Sequence, residues 1–165
     1  MMLACQDEQQ QLQSNYGCTY YQRQTGTMGA SLILPQLFIG SYTNALDPPA
    51  EITALLCVAA ELAPPANDRL TGHIPIVDMQ PIPADQLRAA VEWIDAHIEH
   101  HRILVFCNAG VGRSPSVTIA YLCCALDYGF GQAVEYVATR RPYMSILPDL
   151  IHGIAAVKQA WRGKA

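Results

Sequence analysis

A cysteine and an arginine six positions apart, Cys107 and Arg113, enclose the most chemically suggestive stretch of this chain: Val105-Phe106-Cys107-Asn108-Ala109-Gly110-Val111-Gly112-Arg113-Ser114. The spacing alone says little in a sequence with six cysteines. Glycines at 110 and 112 and a hydroxyl at 114 make a chance match remote. The apolar run Ile103-Leu104-Val105-Phe106 leads into the cysteine, and helix-forming residues follow Arg113, so the segment reads as strand, turn and helix. Such a turn aims backbone N–H groups inward as a nest for an anion, and the helix N-terminus adds partial positive charge. Gly110 and Gly112 allow close approach that a β-carbon would hinder. The planar fork of Arg113 suits two phosphoryl oxygens, and the same field stabilises a thiolate at Cys107. One loop would then bind a phosphate ester and activate the nucleophile that attacks it.

The elements that must hold this loop follow from the patterning. Leu32–Leu34 and Leu37–Ile39, split by Pro35-Gln36, read as two short strands, and 54–58 (ALLCV) as a third. The segment 73–77 (HIPIV) reads as a fourth, near a sheet edge because Pro75 cannot donate to a ladder. The spacing of Leu87, Val91, Ile94 and Ile98 predicts a helix over 84–101. Further helices are expected over about 113–126, 130–140 and 149–161. Pro115 sits in the first turn of one, and Leu150, Ile154, Val157 and Trp161 line another. Strands interleaved with helices indicate an α/β domain, its helices covering a small central sheet. Residues 1–28 are polar and rich in glutamine and read as an N-terminal extension, which leaves 29–165 as the catalytic domain.

Composition narrows the function. The chain has 165 residues, 51% hydrophobic and 15% charged, enough for one domain with a real core. A net charge of −4 and the lack of any run of Lys and Arg argue against a nucleic-acid partner. No CxxC pair or finger-like Cys/His spacing occurs, so no metal site and no cofactor are expected. The first residues lack a basic and apolar leader, and no stretch reaches membrane-spanning length, so the reading is a soluble cytoplasmic protein.

The segment from 105 to 114 resembles the Cys-x5-Arg-Ser/Thr phosphate loop of the protein tyrosine phosphatase superfamily. More narrowly, the chain resembles its small dual-specificity phosphatases over about residues 31–162. The opening LILPQLFIGSYTNAL, the HIPIVD segment and the Arg141-Pro142 turn carry the rest of the likeness. The resemblance implies a single α/β domain with a small, mostly parallel central sheet. It implies that Cys107 forms a phosphoenzyme, that Arg113 stabilises the transferring group and that Ser114 assists release of the thiolate. Asn108, Ala109, Gly110, Val111 and Gly112 would supply backbone donors to the phosphate. Asp78 occupies the general acid's position; the rival Asp85 falls in the first turn of a helix, an ordinary place for an acidic residue. Ser114 has a competing use as a helix-start hydroxyl. The substrate implied is a phosphorylated protein carrying phosphotyrosine and phosphoserine or phosphothreonine. Alternatives are a phosphoinositide, RNA 5′-phosphate or phosphoglucan substrate, and a phosphate-binding scaffold with little turnover.

Two departures from that family stand out. Phe106 replaces the usual His before the nucleophile, and Ile146-Leu147 stand where relatives often carry Pro-Asn, a pair that supports the phosphate loop. Elsewhere plainer readings prevail. His97 and His101 suit the end of a helix better than a metal, Trp93 and Trp161 suit packing better than ligand platforms, and Arg140-Arg141 suit a helix C-terminus better than contact with an anionic substrate. Cys57, at the end of a strand, carries a redox reading: a reversible disulfide to Cys107 that would shield it from overoxidation.

Overall fold

Short runs of branched and aromatic residues form one five-stranded sheet. A computed structural model describes residues 29–162; the extension expected over 1–28 lies outside the described residues. Strands β1 (Ser31–Leu34) and β2 (Leu37–Ser41) turn about Pro35-Gln36, and a short helix α1 (Tyr42–Leu46) follows. Then come β3 (Ala54–Cys57), β4 (Leu70–His73), α2 (Ala84–His97), β5 (Ile103–Cys107), α3 (Arg113–Ala125), α4 (Phe130–Arg140) and α5 (Leu150–Arg162). The sheet order is β1-β2-β5-β3-β4. Only the β1–β2 pair is antiparallel; β2–β5, β5–β3 and β3–β4 are parallel. This is the single α/β domain expected, with a small, mostly parallel sheet.

The central strand β5 is buried at every residue, which explains why it reads as an unbroken apolar run. Helix α3 is buried from Arg113 through Cys124, because α2, α4 and α5 all pack against it. Helix α2 turns Leu87, Ala90, Val91 and Ile94 into the core. It ends at His97 rather than at 101, and His100 and His101 close the turn by donating to the His97 carbonyl at 3.2 and 3.0 Å. The fourth strand is also displaced from the expectation. It runs over 70–73 at the edge of the sheet, where Pro75 had placed it; the Ile74 N–H still donates to Cys57 O at 2.9 Å, and the chain then turns away, its Ile76 N–H closing a tight turn on Ile74 O at 2.9 Å. Pro75 has no N–H to continue the pairing, so the strand stops where the proline takes effect. The sequence patterning gave no sign of α1. Its five residues are too few for a period, and a capping box between Ser41 and Asn44 starts them. Among the described residues no helix is long and apolar enough to cross a membrane.

Candidate active site

The three parallel strands β2, β5 and β3 end together at Ser41, Cys107 and Cys57, so the loops that follow them share one edge of the sheet. Ligands of open α/β sheets bind at that carboxyl edge. A cavity of about 420 Å³ opens there, lined by the 107–113 turn, by Asp78 and Met79, and by Ser145 to Pro148. Cys107 and Arg113 are both 2% exposed, at the two ends of the turn.

The turn owes its shape to where its carbonyls go. Asn108 O accepts from the Tyr42 N–H at 3.0 Å, and Val111 O accepts from the Ser145 N–H at 2.8 Å. Gly110 O accepts from Arg141 Nε at 2.5 Å. The peptide oxygens are thus drawn outward to three separate segments. Gly110 adopts φ +70°, and a β-carbon there would stand 2.5 Å from Arg141 Nη2 and 2.6 Å from Gly40 O, so only glycine fits. Gly112 caps α3 without a side-chain hydrogen bond, and no acidic residue stands in the first turn. The orphan amides of that helix end are therefore open to an exogenous anion. Leu147 N donates to Ser116 Oγ at 2.9 Å. With the Ser145–Val111 bond, this gives the loop its support through backbone amides, although Ile146-Leu147 replace the usual side chains.

Arg113 has five N–H groups, and the fold assigns three of them. Nη1 donates to Glu61 Oε2 at 2.5 Å and to Ile76 O at 3.1 Å, while Nη2 donates to Glu61 Oε1. Nε has no partner among the described residues, and Nη2 has one N–H remaining, with Asp78 Oδ2 3.6 Å away. In a guanidinium those two groups lie along one edge, the spacing that two phosphoryl oxygens require. The Glu61 bond, with lesser help from Asp78, Cys107 and Glu61's own charge, raises the already high pKa of Arg113 against the cost of burial. Reciprocally, the bond from Arg113 holds the Glu61 carboxyl below its ordinary range.

The other expected residues fall as follows. Ser114 Oγ lies 3.3 Å from Cys107 Sγ and 3.5 Å from Gly40 O. The Asp78 carboxylate is half-exposed at the rim, and its Oδ1 accepts from the Met79 N–H at 2.9 Å while Met79 takes φ 59°. Asp85 sits in the first turn of α2, away from the cavity lining. Asn108 and Ala109 are exposed at the mouth. Phe106 is fully buried with its ring 6.5 Å from that of Tyr42, so no imidazole stands behind the turn. Burial pushes the Cys57 thiol up despite its weak bond to Ala59 O, and a protonated thiol attacks poorly. His97 Nδ1 pairs with Trp93 O at 2.7 Å, its ring tilted at 44° against the Trp93 ring, and His101 contacts Thr53 Oγ1 at 3.1 Å.

Sequence patterning missed one residue of the site and ranked another below a plainer reading. Glu61 follows the end of β3, and only the rule that sites gather beyond the carboxyl ends of parallel strands pointed to it. Arg141, for which a helix end was preferred over contact with an anionic substrate, is 2% exposed against the turn. Helix α4 stops at Arg140, and Arg141, with φ −136° and ψ 78°, leaves the helical path toward the sheet.

Comparison with known proteins assigns this arrangement first to a class of folds. A solved structure of human tyrosine phosphatase-like serine/threonine/tyrosine-interacting protein superposes with a TM-score of 0.72 at 23% identity, covering 81% of this chain and 98% of that one. A solved structure of DUSP15 gives 0.71 at 21%, covering 82% and 94%. The fold is the one that these two structures share. Residues 37–160 match the family model "Dual specificity phosphatase, catalytic domain", and the chain belongs to that family. Dual specificity protein phosphatase 1B of Arabidopsis thaliana is 31% identical over 147 residues, covering 85% of this chain and 88% of its own length. Dual specificity protein phosphatase 5 of Rattus norvegicus is 32% identical over 120 residues, covering 68% and 31%. The chain thus spans about a third of that relative, and about half of the mouse dual specificity protein phosphatase 15 that it also matches.

Proposed function

We propose that this chain hydrolyses phosphotyrosine, and phosphoserine or phosphothreonine, in proteins through a cysteinyl-phosphate intermediate. The observation that carries the reading is the division of labour in Arg113: three N–H groups are fixed to Glu61 and Ile76, and one edge is left for a phosphoryl group above Cys107. Cys107 Sγ attacks phosphorus as the ester P–O bond breaks, and Asp78 passes its proton to the departing oxygen. Asp78, now a carboxylate, takes a proton from water as the water oxygen attacks phosphorus and the S–P bond breaks. Inorganic phosphate leaves, and Ser114 Oγ, within reach of the sulfur, donates to the departing thiolate. Amides of 108–112 and the start of α3 stabilise the charge on the equatorial oxygens.

The scarcity of basic residues around the cavity supports protein substrates. Among the described residues Arg113 is the single basic one in its lining, whereas Met79 and Ile146 present exposed apolar surface beside the mouth. An aromatic ester fits such a rim better than a polyphosphorylated lipid or an RNA end. Four free, buried thiols among the described residues suit a reducing compartment such as the cytoplasm.

The test is turnover across phosphotyrosine and phosphothreonine peptides and a phosphoinositide. Cys107→Ser is expected to abolish turnover, and Asp78→Asn to slow it most for poor leaving groups. Undiminished activity in Cys107→Ser would refute the mechanism. A phosphoinositide turned over faster than the peptides would overturn the substrate class. Tight phosphopeptide binding without phosphate release would reduce the site to a scaffold.

A further inference from the structure

Two guanidinium groups are buried at this site, and the protein treats them differently. Arg113 faces the Glu61 carboxylate. Arg141, equally buried, meets only neutral oxygens: Gly110 O at 2.5 Å, Ser31 Oγ at 2.9 Å, Gly29 O at 3.2 Å and Ile39 O at 3.5 Å. Among the described residues it forms no ion pair, and its Nη2 has no hydrogen-bond partner. That orphan nitrogen lies against the Gly110 backbone, directly behind the turn.

Burying a cation without an opposite charge is costly, and dipoles of carbonyls and a hydroxyl recover only part of the cost. Burial accordingly depresses the Arg141 pKa, and the one opposing influence is the charge of Cys107. We propose that Arg141 is the second cation of the phosphate site, a positioning residue whose unmatched charge is completed by the anion held in the turn. It grips the loop through Gly110 O and projects a field through one layer of backbone onto the sulfur and the phosphoryl group. Because Phe106 supplies no charge or hydrogen bond there, Arg141 is the charged group behind the loop. The inference rests on the phosphate-cup reading above.

The experiment measures tungstate, a tetrahedral dianion, by its dissociation constant and by the rise in Tm at saturation, in the unaltered chain, Arg141→Gln and Arg141→Lys. Both variants lose the planar fork, and only Lys keeps the charge. The expected result is tungstate affinity reduced roughly 10–100-fold in Arg141→Gln and less than about threefold in Arg141→Lys, although both have lower Tm without tungstate. Equal affinity in the unaltered chain and the Gln variant would overturn the inference while leaving the phosphate cup standing. Equal losses in the two variants would make Arg141 a structural brace only and also overturn it. Should the Gln variant not fold, a folded Lys variant that has lost more than about tenfold in affinity decides against the inference, since its charge is intact, and a retained affinity supports it. Failure of tungstate to stabilise the unaltered chain would remove the cup itself, and the inference with it.

Discussion

At the scale of single residues, the site depends on side chains that are already committed before substrate arrives. Glu61 holds the end of the Arg113 guanidinium and so fixes the direction of the edge left open. Removing it frees a long side chain to rotate, and charge-assisted bonds of this kind contribute about 1.5–3 kcal/mol. Glu61→Ala is therefore expected to lower kcat/KM roughly 10–100-fold and Glu61→Gln less, measured with an aryl phosphate. The same pair has a pH signature. Because Arg113 lowers the Glu61 pKa, its contribution to stability is full above the ordinary value of 4.5 and lost as pH falls through the depressed one. Glu61→Gln should thus be less stable than the unaltered chain at neutral pH, by under about 1 kcal/mol since the carboxylate is half-exposed, and the two should converge in acid. Urea titrations across pH 3–7 would show it; a constant gap would mean that the charge of Glu61 contributes nothing. Phe106 invites the reverse substitution. Phe106→His is expected to speed alkylation of Cys107 by iodoacetamide at neutral pH, while costing about 1–3 kcal/mol if the imidazole finds no partner.

At the scale of elements, a turn of five residues is shaped by three other segments. Gly110→Ala tests that coupling: with φ +70° and contacts of 2.5 and 2.6 Å, it should cost at least about 1–3 kcal/mol and abolish turnover together. Loss of stability would be read from urea unfolding, and activity preserved in a stable variant would show that the turn tolerates another shape. The Cys107–Arg113 turn was legible because its signal is local: fixed spacing, obligatory glycines, an apolar strand before and a helix after. Helices α2 and α5 were legible for the same reason, each having a face of regularly spaced apolar residues, whereas α3, buried from Arg113 through Cys124, was read from its place after the turn. Glu61 and Arg141 were not, because each acts across the fold, on partners 52 and 31 residues away. Nothing beside Arg141 in sequence distinguishes a cation capping a helix in water from one turned under a sheet. The fourth strand was placed three to four residues late because its apolar signal begins where the ladder is already ending; the edge position that Pro75 indicated is the one β4 takes.

At the scale of the whole molecule, the topology gathers Cys57, Cys107, Ser41 and the approaches to Asp78 at one rim, and the helices behind only have to be packed. Yet the rim is not closed by the parallel strands alone. The Gly110 and Val111 carbonyls are held by Arg141 and Ser145, both beyond α4 and therefore late in the chain. During synthesis, residues 103–114 leave the ribosome while those anchors are still inside it. A nascent chain can form its hairpin and central strand, but its reactive sulfur has no finished cup until the last third of the domain docks. Maturation of the catalyst is thereby tied to completion of the polypeptide, so an interrupted translation product would carry a cysteine without a phosphatase.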